Sequence, residues 1–592
     1  MWNTDWRERV WSQLDQPWDL IIIGGGITGA GILREAVRLG LRALLVEQRD
    51  FAWGTSSRSS KLVHGGFRYL KEGRIFLTRA SVQERERLLE EGSGLIDPLG
   101  FLLTIYEGDS PGRWTFEAGL TIYDLLALHW GHRYYCAEDF QMLVPHITQK
   151  GLEGGFRYGD AQTDDARLVL RVIREAVMDG GTALNYVKAE ELLQEDEKVV
   201  GIHLRENTQP VDSPNESQVS RSMDVYAPVV INATGAWADR LRHDLGVAPR
   251  IRPLRGSHLI FPTWRLPVAQ AVSFLHPLDQ RPVFIFPWEG ITIVGTTDVD
   301  HSQPLDVEPS ISPEEVAYLM AAAQDQFPSL NLGLEDVIST FAGVRPVIGT
   351  GKVDPSKESR DHVVWEESGL LTVTGGKLTT FRLIALDVLD ALRHRIPQIP
   401  QLSRDMPVLD PVDVGLMDDK DLEKSIQRRL LGRFGADAPA LVKSALPGEL
   451  EIIPGTQTLW AELRWAARAE GVVHLDDLLM RRVRLGVLLQ GGGEDIMPAV
   501  KTICQTELGW DDARWLVEEA SYLRLWQDKY SLPNIDLIPD WKEQLRKAET
   551  ERLEVRSKQR KRLVVSSALM VGITTAVVGF VILLIWRKKQ DR

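Results

Sequence analysis

The chain has 592 residues, 26 % of them charged, and a formal net charge of −14. That length accommodates two or three domains with sizeable cores, while the acidic balance excludes the basic footprint of a nucleic-acid-binding protein. Two cysteines, Cys136 and Cys504, exclude a disulfide framework, lack metal-ligand spacing and read as free thiols of a reducing compartment, so no metal site is expected.

Trp2–Trp18 mixes charges with tryptophans and has no apolar core, which predicts a packed N-terminal helix rather than a signal peptide. Leu20–Ile23 is a short β-branched run that suits a buried strand. It breaks into a GxGxxG at Gly24–Gly29, followed by a helical pattern over Ala30–Leu39. Gly24 permits the tight turn, Gly26 lets a pyrophosphate approach the backbone, and Gly29 lets helix and strand lie close. The helix N-terminus then faces the phosphates. A second strand, Arg42–Val46, ends at Glu47, roughly twenty residues on, where an acid hydrogen-bonds a ribose hydroxyl. The context of strand, glycine turn, helix and acid predicts dinucleotide binding.

Asp50–Leu70 is too rich in Gly, Ser and Thr for an ordinary helix and reads as a loop lining the site. Thr55, Ser56 and Ser57 offer hydroxyls and backbone donors, and His64-Gly65-Gly66 lets the backbone approach a flat ring. Residues from about Leu77 to His129 read as mainly helical. Asp164-Asp165 opens a further helix, Leu168–Met178, with acids at its positive end, so capping is expected in preference to metal ligation or acid/base work. A strand-rich segment starts at Leu184–Val187, and Glu206–Asp224 reads as a hairpin or surface insertion. Pro228–Leu241 repeats the strand, small-residue turn (Ala233-Thr234-Gly235) and helix start. A second such approach to a dinucleotide is what a flavoprotein with two-dinucleotide-domain architecture needs.

Gly256–Phe261, Val283–Phe286 and Ile291–Thr296 alternate as strands of a mixed or antiparallel substrate-domain sheet. Leu370–Arg382 is a third strand–glycine–helix unit, with Gly375-Gly376 at the turn; a helix aimed at a flavin stabilises the charge of the reduced ring. From about Pro407 to Glu554 the pattern is helical, and no chemistry-bearing constellation stands out. Leu563–Trp586 is uncharged and would be about 36 Å long as a helix, long enough to span a bilayer. Basic residues collar both ends, so the positive-inside rule does not orient it. The expectation is a single C-terminal transmembrane anchor with the catalytic domain cytoplasmic.

These motifs carry a resemblance. GGGITGAG, DFAWGTSSRSSKLVHGGFRYL, DDARLV, NATGAWAD, RGSHLIFP, GTTD, AGVRP and GGKLTTFR occur in that order, and over about residues 18–400 the chain resembles the FAD-dependent, quinone-linked sn-glycerol-3-phosphate dehydrogenases. Those enzymes belong to the glycine-oxidase/D-amino-acid-oxidase-like flavoproteins. The helical C-terminal part is similar more weakly. The resemblance implies FAD, oxidation of glycerol 3-phosphate to dihydroxyacetone phosphate by hydride transfer to the flavin, electrons passed to a membrane quinone, and a possible homodimer. It implies an α/β architecture in which a Rossmann-like FAD-binding domain (about 18–75, 150–250 and 340–400) interleaves with a mixed or antiparallel-sheet substrate domain (about 76–149 and 251–339). A helical domain (401–555) and the transmembrane helix (563–586) follow.

Carried over by motif, Gly24, Gly26, Gly29 and Glu47 hold the ADP half of FAD. Thr55, Ser56, Ser57, Lys61, His64 and Gly65 line its middle and the ring, and Val187, Gly235, Gly376, Leu378 and Thr379 complete the cofactor set. Arg68, Tyr69, His258, Arg345, Arg360 and Lys377 are the implied substrate residues, their guanidiniums suited to a phosphate dianion. Of these, His258, Arg345 and Lys377 are the catalytic candidates: His258 is the natural base by its pKa, while Lys377 or an arginine stabilises a developing alkoxide. The spanning tail departs from bacterial members that sit on the membrane through surface elements. Two alternatives stay open: oxygen as the electron acceptor, and an amine or amino-acid oxidase on the same scaffold.

Overall fold

A computed structural model of the chain describes residues 2, 5–71, 73–109, 111–127, 130–208, 220–349, 361–396, 399–400, 403, 405–412, 415 and 422–551. Arg360, the side chain of Arg68 and the apolar stretch 563–586 lie outside the described residues. Among the described residues no helix is long and apolar enough to cross a membrane.

Two sheets organise the molecule. The first has six strands in the order Val363–Glu367, Leu370–Thr374, Val229–Asn232, Leu20–Ile23, Ala43–Val46 and Thr182–Leu184. Its pairings are parallel apart from the antiparallel Val363–Glu367 edge. The inner strands are fully buried runs such as LIII and ALLV, as expected of parallel strands covered on both faces. Helices Ile27–Arg38, Asp165–Met178 and Phe381–Ala391 pack together beside it. The Asp164 side chain caps the second of these by accepting from the Arg167 N–H, so the capping role holds for Asp164. The N-terminal segment forms the helix Trp6–Trp11, and Trp2, Trp6, Trp11 and Trp18 are buried in the same core.

The second sheet has ten strands: eight in the order Val299–Asp300, Ile251–Pro262, Ile291–Gly295, Pro282–Trp288, Ala271–Leu275, Ile96–Tyr106, Leu152–Thr163 and Leu62–Val63, with Ser339–Ile348 and Arg133–Cys136 paired onto them. Lys198–Glu206 and Ser222–Tyr226 pair antiparallel, which makes the polar stretch between them the connection of a hairpin. Three expectations change. The supposedly helical region 77–129 holds helices Ile75–Glu91 and Arg113–Ala127, but between them lies the strand Ile96–Tyr106. Its Pro98 and Gly100 disfavour a helix. Residues 150–163 and 340–348, assigned above to the cofactor unit, belong by backbone pairing to the ten-stranded sheet.

The helical C-terminal part includes Lys424–Phe434, Trp460–Ala469, Met497–Leu508 and Asp512–Lys529. It is not a separate body: Leu463, Leu478, Trp515 and Tyr522 share one apolar core with Ile260, Phe286 and Phe341 of the ten-stranded sheet. Burial of that shared face, at about 25 cal/mol per Å² of apolar surface, fixes the helices against the sheet.

Candidate active site

The cleft lies where the C-terminal ends of the parallel strands meet the ten-stranded sheet, the customary ligand position of an open α/β sheet. At the end of Leu20–Ile23 the chain turns through Gly24 (φ 115°), where a Cβ would stand 2.6 Å from the Ala233 carbonyl oxygen. Gly29 sits in the first turn of the following helix, directly on the Gly24 carbonyl. That contact holds the helix against the strand and aims its N-terminus into the cleft. The Ser56 hydroxyl accepts from the Ile27 N–H at 2.9 Å and closes this end. The Glu47 carboxylate accepts from the N–H groups of Gly25 (2.7 Å) and Arg49 (2.9 Å), and burial pushes its pKa up.

Two further glycine turns approach the same space. Gly235 (φ 59°) follows the strand Val229–Asn232, and Gly375 and Gly376 (φ 79° and 82°) follow Leu370–Thr374. Together the turns bound a cavity of about 560 Å³, within the size range of cofactor and ligand sites. A dinucleotide fits this cradle: three backbone turns present no side chains, one helix N-terminus faces in, and the Thr55–Ser57 turn brings hydroxyls to one wall.

Gly24, Gly26, Glu47, Thr55, Ser56, Lys61, His64, Tyr69, Gly235, Arg345, Gly376, Lys377 and Leu378 all line this one cavity. Other predicted residues lie one layer behind it. Val187 donates its N–H to the Glu47 carbonyl at 2.8 Å. The Thr379 hydroxyl donates to the His64 carbonyl at 3.1 Å. Gly65 donates to Asp160 and packs against Val82 and Tyr123. Ser57 is buried, and its carbonyl accepts from Lys61 at 3.2 Å.

Arg345 and Lys377 bring two cations to the cavity wall. The Arg345 guanidinium bonds Asp298 at 3.0 Å and the Thr296 hydroxyl at 3.1 Å. It lies over Gly256, where a Cβ would displace both groups. Lys377 donates to the Ser81 hydroxyl at 2.9 Å with its ammonium 3.8 Å from the centre of the Tyr69 ring.

His258 is placed differently from its expected role. It is 1 % exposed, stacked on Phe341 at 4.4 Å, and is not among the residues lining the cavity. Its Nε2 is 2.9 Å from the Ser60 hydroxyl, and Ser60 does line the cavity. Burial, then the charges of Arg345 and Lys61, hold its pKa well below the usual imidazole value, so it is neutral at ordinary pH. Ser60 thus stands between His258 Nε2 and the cavity.

The sequence reading missed the ion pairs beneath the cleft. Asp50, Asp164 and Asp165 are buried and meet arginines of the C-terminal helices: Arg481 and Arg482 on Asp50, Arg433 on Asp164, and Arg484 on Asp165. A signal was present in the opposite charges of Asp164-Asp165 and Arg481-Arg482-Val483-Arg484, each set within apolar flanks, since buried charges require partners. Spacing alone did not say which charge meets which.

Residues 19–382 match the family profile described as FAD dependent oxidoreductase, and residues 405–515 match the C-terminal domain of alpha-glycerophosphate oxidase. An aerobic glycerol-3-phosphate dehydrogenase of Bacillus subtilis is 37 % identical over 416 residues, 68 % of this chain and 73 % of that one. Another, from Staphylococcus saprophyticus, is 34 % identical over 504 residues, 80 % of this chain and 88 % of that one. The crystal structure of the glycerol-3-phosphate dehydrogenase from Bacillus halodurans complexed with FAD superposes with a TM-score of 0.70 at 27 % identity, covering 89 % of this chain and 98 % of that one.

Proposed function

The chain belongs to the family of FAD-dependent oxidoreductases, and on that premise we propose that it oxidises sn-glycerol 3-phosphate to dihydroxyacetone phosphate and passes the electrons to a membrane quinone. FAD is its cofactor. The observation that carries the substrate reading is the placement of Arg345 and Lys377 in one cavity with the three glycine turns. An amine offers no anion and an amino acid a single carboxylate charge, whereas a phosphate dianion matches two cations.

In this reading the glycine turns at Gly24, Gly235 and Gly376 hold the dinucleotide, and Thr55 and Ser56 stand along its middle. Bound there, FAD supplies the two-electron acceptor for the hydride that leaves C2 of the alcohol. The Arg345 guanidinium, kept planar and oriented by Asp298 and Thr296, receives the phosphate. Lys377 stabilises oxygen charge as the hydroxyl proton departs. That proton passes to the Ser60 hydroxyl, while Ser60 gives its own to His258 Nε2. An arriving dianion opposes the effect of Arg345 on His258 and raises its basicity.

The quinone assignment is supported by the uncharged stretch 563–586 with its basic collars, which would keep the enzyme at the bilayer, and by the relatives' names as aerobic dehydrogenases. The match of residues 405–515 to a glycerophosphate oxidase domain favours oxygen as the second reading. Anaerobic stopped-flow of the FAD-loaded protein tests the proposal. Glycerol 3-phosphate should bleach the flavin band, and glycerol or amino acids should not; no bleaching overturns the substrate. Reoxidation by a soluble quinone analogue much faster than by air decides the acceptor, and the reverse order installs oxygen.

A further inference from the structure

The loop from Asp50 to Lys61 makes one wall of the cleft through Trp53, Gly54, Thr55, Ser56, Ser59, Ser60 and Lys61. Its other side is gripped by residues distant in the chain, several of them more than four hundred positions away. At the loop's start, Asp50 receives Arg481 Nε at 2.6 Å, together with both terminal nitrogens of Arg482 at 2.6 and 2.8 Å. In mid-loop, Arg58 is bonded to Glu308 and to the Tyr530 hydroxyl.

At the loop's end, Arg484 donates to the Ser57 carbonyl at 2.7 Å and to Asp165 at 3.1 Å. Lys61 donates to the same two acceptors, at 3.2 and 3.0 Å. The second oxygen of Asp165 accepts from the Ser59 N–H (2.9 Å) and hydroxyl (2.7 Å). Arg481, Arg482 and Arg484 are at most 2 % exposed, and none of them lines the cavity.

We propose that Arg484 is a positioning residue for the flavin site: by holding the Ser57 carbonyl and Asp165, it fixes the Ser57–Lys61 wall against which FAD rests, making the helical C-terminal unit a part of the cofactor site that never touches the cofactor. The argument is geometric. Ser57 to Lys61 contains no regular element beyond the single Thr55–Ser57 turn, so its shape is set by what its polar groups bond. Asp165 accepts from Ser59 and Lys61, the Ser57 carbonyl accepts from Lys61, and Arg484 is the group from outside the loop that ties both acceptors together. Both bonds come from one terminal nitrogen, Nη2, while Nη1 donates to the Met480 carbonyl at 2.8 Å and so anchors the group to its own helical unit. Without it, Asp165 retains Lys61 as its cation, and the Ser57 carbonyl loses its shorter bond.

The test uses the FAD-loaded full chain and measures flavin release on dilution by recovery of free-FAD fluorescence. Arg484→Gln should release FAD at least roughly tenfold faster than the unaltered protein. Arg464→Gln is the control: Arg464 pairs with Glu449 and Glu507 within the same helical unit, away from the loop, and should release FAD at the unaltered rate. Equal rates for Arg484→Gln and the unaltered protein overturn the proposal. Equal acceleration by both variants overturns it too, because the effect is then general loosening of the helices. If Arg484→Gln does not fold, Arg484→Lys decides: it keeps the charge and loses the second nitrogen that anchors the group to the Met480 carbonyl, and release about threefold faster supports the proposal, whereas an unchanged rate overturns it. The measurement needs no substrate, so its failure is separate from any failure of the glycerol 3-phosphate reading.

Discussion

At the scale of single residues, the site separates groups by what they are bonded to. Arg345 is oriented by Asp298 and Thr296 yet faces the cavity, so Arg345→Ala should cost about 2–3 kcal/mol of transition-state stabilisation, roughly a 30- to 160-fold loss in kcat/KM. FAD affinity should be unaltered. Equal loss of flavin and substrate binding, read by flavin fluorescence and steady-state kinetics, would remove Arg345 from the phosphate site. His258 is buried and neutral, with its folded pKa well below the ordinary value. Between that depressed value and about 6.5 the unfolded chain binds the proton that the folded one refuses. Stability from this group is therefore complete above about pH 6.5 and falls as pH drops through the window. The urea midpoint should fall between pH 7 and pH 5 by more in the unaltered protein than in His258→Gln; identical drops would show that His258 is charged in the fold.

At the scale of elements, the strand–glycine–helix units were legible because their causes are local. A β-branched run, a glycine at positive φ and an apolar helix face sit within about fifteen residues of one another, and Gly24, Gly235 and Gly376 fell where their turns demanded. The strand Ile96–Tyr106 was not legible, because its apolar residues serve both faces of a buried sheet and leave no period of two to count. His258 was found by its motif, but its position behind Ser60 follows from the register of Ile251–Pro262 against Ile291–Gly295 and Ser339–Ile348. That pairing joins segments far apart in the chain, which no local pattern encodes. For the same reason the arginines of 481–484 do not stand out in a region that reads only as helical.

At the scale of the whole molecule, the cleft is lined from both sheets and backed by the C-terminal helices, which grip its Asp50–Lys61 wall from behind, while the apolar stretch 563–586 follows the described chain. Deleting residues 563–592 should move the enzyme from the membrane to the soluble fraction and leave flavin reduction by glycerol 3-phosphate unchanged. A tail-less protein that still sediments with vesicles would shift the membrane contact to the described surface. There Phe76, Trp114 and Trp130, 87 %, 76 % and 65 % exposed, stand on helices Ile75–Glu91 and Arg113–Ala127 and the segment after them.

The pairing of Asp50 with Arg481 and Arg482 also orders events in time. Asp50 leaves the ribosome more than four hundred residues before its partners, and until they arrive it is a carboxylate without the cations that allow its burial. A growing chain can form the strand Leu20–Ile23 and its glycine turn early, but the wall beside that turn waits for nearly the whole message to be read. Flavin capture should therefore come late in biosynthesis: chains truncated before residue 484 lack the cations that hold this wall and are expected to retain less FAD than the full chain on gel filtration.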